Sequence, residues 1–114
     1  MNHFDQVISR LEQVILDRQR TRLPDSYTTQ LLARGTAAIA EKVREEAEEL
    51  AQATLEPGDS GRRQTIHEAA DLLYHVLVLL ADRGISLAEV AAELGRREGT
   101  SGLAEKAARF REQE

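Results

Sequence analysis

The chain has 114 residues, 41% of them hydrophobic and 31% charged, with a formal net charge of −5. That length suits one domain with a modest core, of the kind often enlarged by oligomerisation, and the composition is globular rather than disordered. The negative balance argues against general binding to nucleic acid backbones, and the lack of cysteine excludes disulfides and thiolate metal sites.

A metal would therefore be held by oxygen or imidazole, which favours magnesium, manganese or zinc. No apolar run approaches the roughly 20 residues that span a membrane. Met1-Asn2-His3-Phe4-Asp5 lacks the basic-then-apolar layout of a signal peptide. A cytoplasmic protein without a membrane partner is the expectation. Alanine, leucine, glutamate and arginine dominate, tryptophan is absent and there are two prolines. This is helix-forming composition, and no alternating β-branched runs suggest strands.

Phe4, Val7, Leu11, Val14 and Ile15, with Ile8 alongside, recur at spacings of three and four, so residues 4–18 read as an amphipathic helix with one buried stripe. It should end near Arg20, before the loop Thr21-Arg22-Leu23-Pro24-Asp25. Ser26 is placed to cap a second helix containing Tyr27, Leu31 and Leu32. Gly35 interrupts, and Thr36 can cap a third helix reaching about Leu55. Glu56-Pro57-Gly58-Asp59-Ser60-Gly61 is the clearest loop signal. A helix over 64–83 follows, with Gly84 at its C′ position. Ser86 with Glu89 forms a capping box for the next helix, which carries Leu87, Val90, Ala91 and Leu94 and fades at Gly95 or Gly99. Thr100-Ser101-Gly102 reads as a turn, and Ser101 can cap a last helix from Leu103 to about Arg111. The whole is an all-α bundle.

Two stretches carry the chemistry. Lys42-Val43-Arg44-Glu45-Glu46-Ala47-Glu48-Glu49 puts four carboxylates into five residues. At about 100° per residue, Glu41, Glu48 and Arg44 lie away from the apolar stripe of Ile39, Val43, Ala47 and Leu50. Glu46 and Glu49 border that stripe, and Glu45 lies beside them with Lys42. In the second stretch, His67-Glu68-Ala69-Ala70-Asp71-Leu72-Leu73-Tyr74-His75, both acids and both histidines share one sector. Apolar residues take nearly every other direction. A helix apolar all round is a buried helix, so Glu68 and Asp71 must be paired, protonated or metal-bound. The i,i+3 pairs Glu46/Glu49 and Glu68/Asp71 can face each other across an antiparallel helix pair and bring four carboxylates to one point. Such oxygen donors suit magnesium, which draws its other ligands from water and phosphate.

Plainer readings stand beside these. Glu41 and Glu48 belong to an ordinary solvated face. Glu68 and Asp71 can instead form salt bridges with Lys42, Arg62 or Arg63. His75 is open to a reading as a hydrogen-bonded core histidine, and Tyr74 reads as packing.

Glu45-Glu46-x-x-Glu49 followed by Glu68-x-x-Asp71 resembles the metal motif of the all-α, MazG-like nucleoside triphosphate pyrophosphohydrolases. Ser26-Tyr27-Thr28, Leu32, Gly35, Lys42-Val43-x-Glu45-Glu46 and Glu68-x-Ala70-Asp71-Leu72-Leu73-Tyr74-His75 are more specifically similar to the phosphoribosyl-ATP pyrophosphohydrolase family of histidine biosynthesis. Leu77-Val78-Leu79-Leu80 and Gly84-Ile85-Ser86-Leu87 continue the match, which runs from about residue 4 to 109. Ala47 departs from the glycine of many relatives. The resemblance implies cleavage of phosphoribosyl-ATP between its α and β phosphates and a requirement for Mg2+, with Mn2+ as a substitute. It also implies a homodimer or dimer of dimers whose helices share a core. Carried over by position, it makes Glu46, Glu49, Glu68 and Asp71 metal ligands and Glu45 a further ligand or the base. Lys42, Ser26, Tyr27, Thr28 and His75, with Lys106 and Arg109 reaching across the dimer, become substrate contacts. A house-cleaning nucleoside triphosphate pyrophosphohydrolase is the alternative enzyme, and a helical dimerisation module the non-enzymatic one.

Overall fold

The computed structural model describes residues 3–98 together with 106, 107 and 109. Within them lie α1 (His3–Thr21), α2 (Tyr27–Ala33), α3 (Thr36–Ala53), α4 (Gly58–Asp82) and α5 (Leu87–Arg96), and no strand. The all-α expectation holds. The predicted helix from Leu103, its Ser101 cap and the turn at 100–102 lie outside the described residues, except that Lys106, Ala107 and Arg109 are helical and exposed.

α3 and α4 form an antiparallel hairpin and pack together more extensively than any other pair. One end is fixed by a hydrogen bond from the Thr36 hydroxyl to Asp82. At the other end the chain turns through residues 54–57 only. The segment 58–61, expected as loop, is therefore the first turn of α4. Gly58 takes φ 75° at the turn. Gly61 lies so close to the preceding corner that a Cβ there would sit 1.9 Å from the Glu56 carbonyl oxygen. Glycines that read as loop formers in fact let two helices meet at a tight corner.

The remaining boundaries follow local chemistry. Ser26 accepts a hydrogen bond from the Thr29 amide and caps α2. Thr36 does not cap α3. Gly35 takes that position with φ 90° and no side-chain cap, and the threonine hydroxyl is spent on Asp82. α4 closes with the Gly84 amide on the Ala81 carbonyl and the Ile85 amide on the Leu80 carbonyl, the paired bonds of a Schellman end. The Ser86/Glu89 capping box of α5 is present in both directions.

The core is Ile15 of α1, Leu31 and Leu32 of α2, Ile39 of α3, and Leu77, Val78 and Ala81 of α4. It lies where α3 begins and α4 ends. Truncating a fully buried member such as Ile39 to alanine would cost about 2–5 kcal/mol. α1 turns Leu11 and Ile15 inward, whereas Phe4, Val7 and Val14 are exposed, so its buried stripe is narrower than the periodicity suggests. Gln19 bonds the Ala81 carbonyl, and Glu12 accepts the Leu87 amide, tying α1 to α4 and to the start of α5.

α4 is not buried all round. Ile66 and Leu73 are exposed, as are Ala70 and, on α3, Ala47 and Ala51, with Leu55 just beyond α3's end. At spacings of three and four these residues make one apolar stripe along the outside of the hairpin.

Candidate active site

The hairpin separates packing from chemistry along its length. Beyond the apolar core comes a polar layer, and beyond that the acids. In the polar layer Thr28 and Tyr74 share a short hydroxyl–hydroxyl hydrogen bond, and Tyr27 stacks on Tyr74. Burial holds the Tyr74 phenol above its ordinary pKa, against the opposing effect of the Thr28 bond. His75 is buried, with Nδ1 2.7 Å from the Asp71 backbone carbonyl and Nε2 3.1 Å from the Tyr27 hydroxyl. A carbonyl can only accept, so Nδ1 carries a proton and donates it, and Nε2 shares a hydrogen bond with the Tyr27 hydroxyl. The core-histidine reading accounts for both ring nitrogens. The same two bonds anchor the backbone carrying Asp71 and fix the half-exposed Tyr27 ring.

The acid layer is built by α3 and α4 together. Glu46 and Glu68 are 4% and 7% exposed, and each keeps one carboxylate oxygen with no hydrogen-bond partner. Ligand atoms of Glu46, Glu49 and Glu68 lie within 4.8 Å of one another. A buried acceptor left unsatisfied costs about 1–3 kcal/mol, and more when charged. Three converging carboxylates fit a divalent cation. Lys42 partly offsets their charge, with Nζ 3.4 Å from Glu46 and 3.5 Å from Glu45. Burial works against the Lys42 ammonium, yet its bond to Glu46, aided by Tyr27 and Glu45, holds its pKa above the ordinary value. A cleft of about 350 Å³ opens beside the acids, walled by Glu49, Gln52, Glu56, Gln64 and Glu68.

The four expected carboxylates do not meet at one point. Asp71 is half-exposed, not buried, and groups with Glu68 and His67 instead, again within 4.8 Å. Glu49 is exposed as well. Glu68 takes its hydrogen bond from Gln64 at 2.6 Å and Asp71 pairs with His67, so neither forms the salt bridge to Lys42, Arg62 or Arg63 that the plainer reading allowed. Glu45 is half-exposed beside Lys42. Glu41 and Glu48 face solvent, bonded to Arg44 and Gln52. Ser26 serves as the α2 cap, Thr28 is buried against Tyr74, and Lys106 and Arg109 are exposed. Two participants escaped the sequence reading. Gln64 shows no signal of its own beyond its i,i+4 spacing to Glu68. His67 falls on the Asp71 face and is visible in the helical wheel.

An all-α hairpin that draws carboxylates from both helices to the mouth of a cleft has the build of a phosphoanhydride hydrolase. Comparison with known proteins narrows the class. The profile of the phosphoribosyl-ATP pyrophosphohydrolase family matches residues 8–98. A protein of Rhodopirellula baltica named phosphoribosyl-ATP pyrophosphatase is 56% identical over 102 residues, 90% of this chain and 85% of the relative. One of the same name from Novosphingobium aromaticivorans is 48% identical over 109 residues, 96% and 98% of the two chains. The chain belongs to the phosphoribosyl-ATP pyrophosphohydrolase family.

Proposed function

We infer that the chain hydrolyses phosphoribosyl-ATP between its α and β phosphates, releasing phosphoribosyl-AMP and pyrophosphate in histidine biosynthesis. Family membership supports the reaction. The observation that carries the chemistry is the pair of buried, incompletely bonded carboxylates Glu46 and Glu68, facing each other across α3 and α4 with Glu49. All-oxygen donors at the mouth of a cleft fit Mg2+, and when bound there the ion supplies Lewis-acid polarisation of a phosphoryl oxygen and charge neutralisation of the leaving pyrophosphate. Glu46, Glu49 and Glu68 would hold it, and Asp71, grouped with Glu68, would be the fourth acid. Glu45, half-exposed and held by Lys42, orients the attacking water and takes its proton. The Lys42 ammonium, kept charged by Glu46, offers a compact cation to the phosphate chain. Tyr27, fixed by His75, presents a half-exposed ring to the rest of the substrate, and Ser26 and Thr28 set where that ring stands.

The stripe formed by Ala47, Ala51, Leu55, Ile66, Ala70 and Leu73 supports a homodimer in which a second copy covers the hairpin. In such a dimer the C-terminal basic residues of each chain, Lys106 and Arg109, would reach phosphate at the partner's site. Incubation of the pure chain with phosphoribosyl-ATP and Mg2+ should yield pyrophosphate and phosphoribosyl-AMP in equal amounts. Activity confined to nucleoside triphosphates would overturn this reading in favour of a house-cleaning enzyme.

A further inference from the structure

Both tyrosines of a chain without tryptophan stand together in the polar layer. Packing accounts for Tyr74, which is partly buried and bonded to Thr28. It does not account for Tyr27, whose ring is 46% exposed although its hydroxyl and one edge are held by His75. We propose that the Tyr27 ring is a stacking face for the purine base of the nucleotide, and that His75 is a positioning residue which holds the ring in place for it. The proposal deepens the reading of the cleft as a nucleotide-hydrolysing site and rests on it.

The ring is restrained from several directions. Tyr74 stacks on it at 6.2 Å with 27° between the planes, and His75 meets it edge-on at 6.0 Å and 78°. The Tyr27 hydroxyl is 3.1 Å from His75 Nε2. His75 is itself immobilised, buried and bonded through Nδ1 to the Asp71 carbonyl at 2.7 Å. A flat ring so fixed loses little freedom when a base lies on it, and every base offers a π-face to stack. The surroundings suit the rest of a nucleotide. The Lys42 ammonium is near enough to feel the Tyr27 phenol, and its Nζ is 3.4 Å from Glu46. Ring, cation and acids thus follow one another as base, phosphate and bound cation do in a magnesium nucleotide.

Calorimetric titration in the presence of Mg2+ compares AMP with ribose 5-phosphate, which is AMP without its base. Wild type should bind AMP at least roughly tenfold more tightly, as one base stacked on an aromatic side chain provides. Y27L should bring the two affinities together by weakening AMP alone. H75F, which removes the bond to Tyr27, should weaken AMP severalfold, and H75Q, whose amide still reaches the Tyr27 hydroxyl, should restore most of the loss. In a Y27L background H75F should change AMP affinity no further, because it acts through the ring. Should H75F fail to fold, Y27L at its half-exposed position still decides the matter. Equal affinities in wild type, an AMP preference unchanged in Y27L, or equal weakening of both ligands in H75F would overturn the proposal. None of these measurements needs turnover. Failure of wild type to release pyrophosphate from phosphoribosyl-ATP would instead overturn the hydrolase reading, so the two failures are distinct.

Discussion

Replacing Glu46 with glutamine keeps the side-chain shape and removes one buried charge from the centre of the acid layer. Two unit charges at the 4.8 Å limit of the group repel by about 3.5 kcal/mol at an effective dielectric of about 20. Loss of repulsion from Glu49 and Glu68 is thus worth about 7 kcal/mol. The attraction lost to Lys42 at 3.4 Å is about 5 kcal/mol on the same scale. The terms oppose and largely offset each other, leaving a difference on the order of 2 kcal/mol, so without metal the variant should not be less stable than wild type. With metal the two should separate. Magnesium at 100 times its dissociation constant stabilises a binding protein by about 2.7 kcal/mol. A chain of 114 residues unfolds with an entropy of roughly 0.24 kcal/mol/K, so the wild-type Tm should rise by about 11 °C. Paired thermal scans with Mg2+ or EDTA, alongside pyrophosphate release, provide the assay. E46Q should show a small fraction of that shift and lose turnover by orders of magnitude, while E41Q, at an exposed glutamate bonded to Arg44, should match wild type in both. Full turnover and a full shift in E46Q would refute the placement of the site.

G61A should lower stability by roughly 1–3 kcal/mol, since its methyl would meet the Glu56 carbonyl at 1.9 Å; an unchanged denaturation midpoint would show that the corner is slack. L73E should convert a dimer to a monomer in light scattering if the hairpin stripe is the interface, and a persistent dimer would place the contact elsewhere. Hydrogen bonding to Arg96, supported by Arg97, holds the Glu93 carboxyl at about 2, below its ordinary 4.5. A depressed folded-state value means that these pairs stabilise α5 fully above pH 4.5 and lose that effect as pH falls through about 2. A carboxyl 13C titration of Glu93 with its midpoint near 4.5 would contradict the pairing.

What the sequence disclosed was what neighbouring residues decide among themselves. The Ser86/Glu89 box, the Ser26 cap and Gly84 are fixed within a turn or two of helix, and the wheel placed Glu46 at the border of the stripe that holds Ile39 and Leu50. The reading failed where composition stood in for packing. Gly58-Asp59-Ser60-Gly61 has loop chemistry, but the close approach at Glu56 makes it helix. Asp71 was expected to be buried on the strength of its apolar neighbours, yet its own face of α4 is left half-exposed. His67 shares the sector of Glu68 and Asp71 on the wheel, but its contact with Asp71 shows only in the structure.

The four-residue connection between α3 and α4 has a kinetic consequence. Glu46, Glu49 and Glu68 all lie within that one hairpin, so they meet through short loop closure, at little entropic cost and ahead of contacts with α1 and α5. Lys42 lies in the same hairpin, 3.4 Å from Glu46, so the attraction that offsets their repulsion arrives with it. The charges that equip this chain for chemistry are thus brought together already partly balanced, by that one short connection.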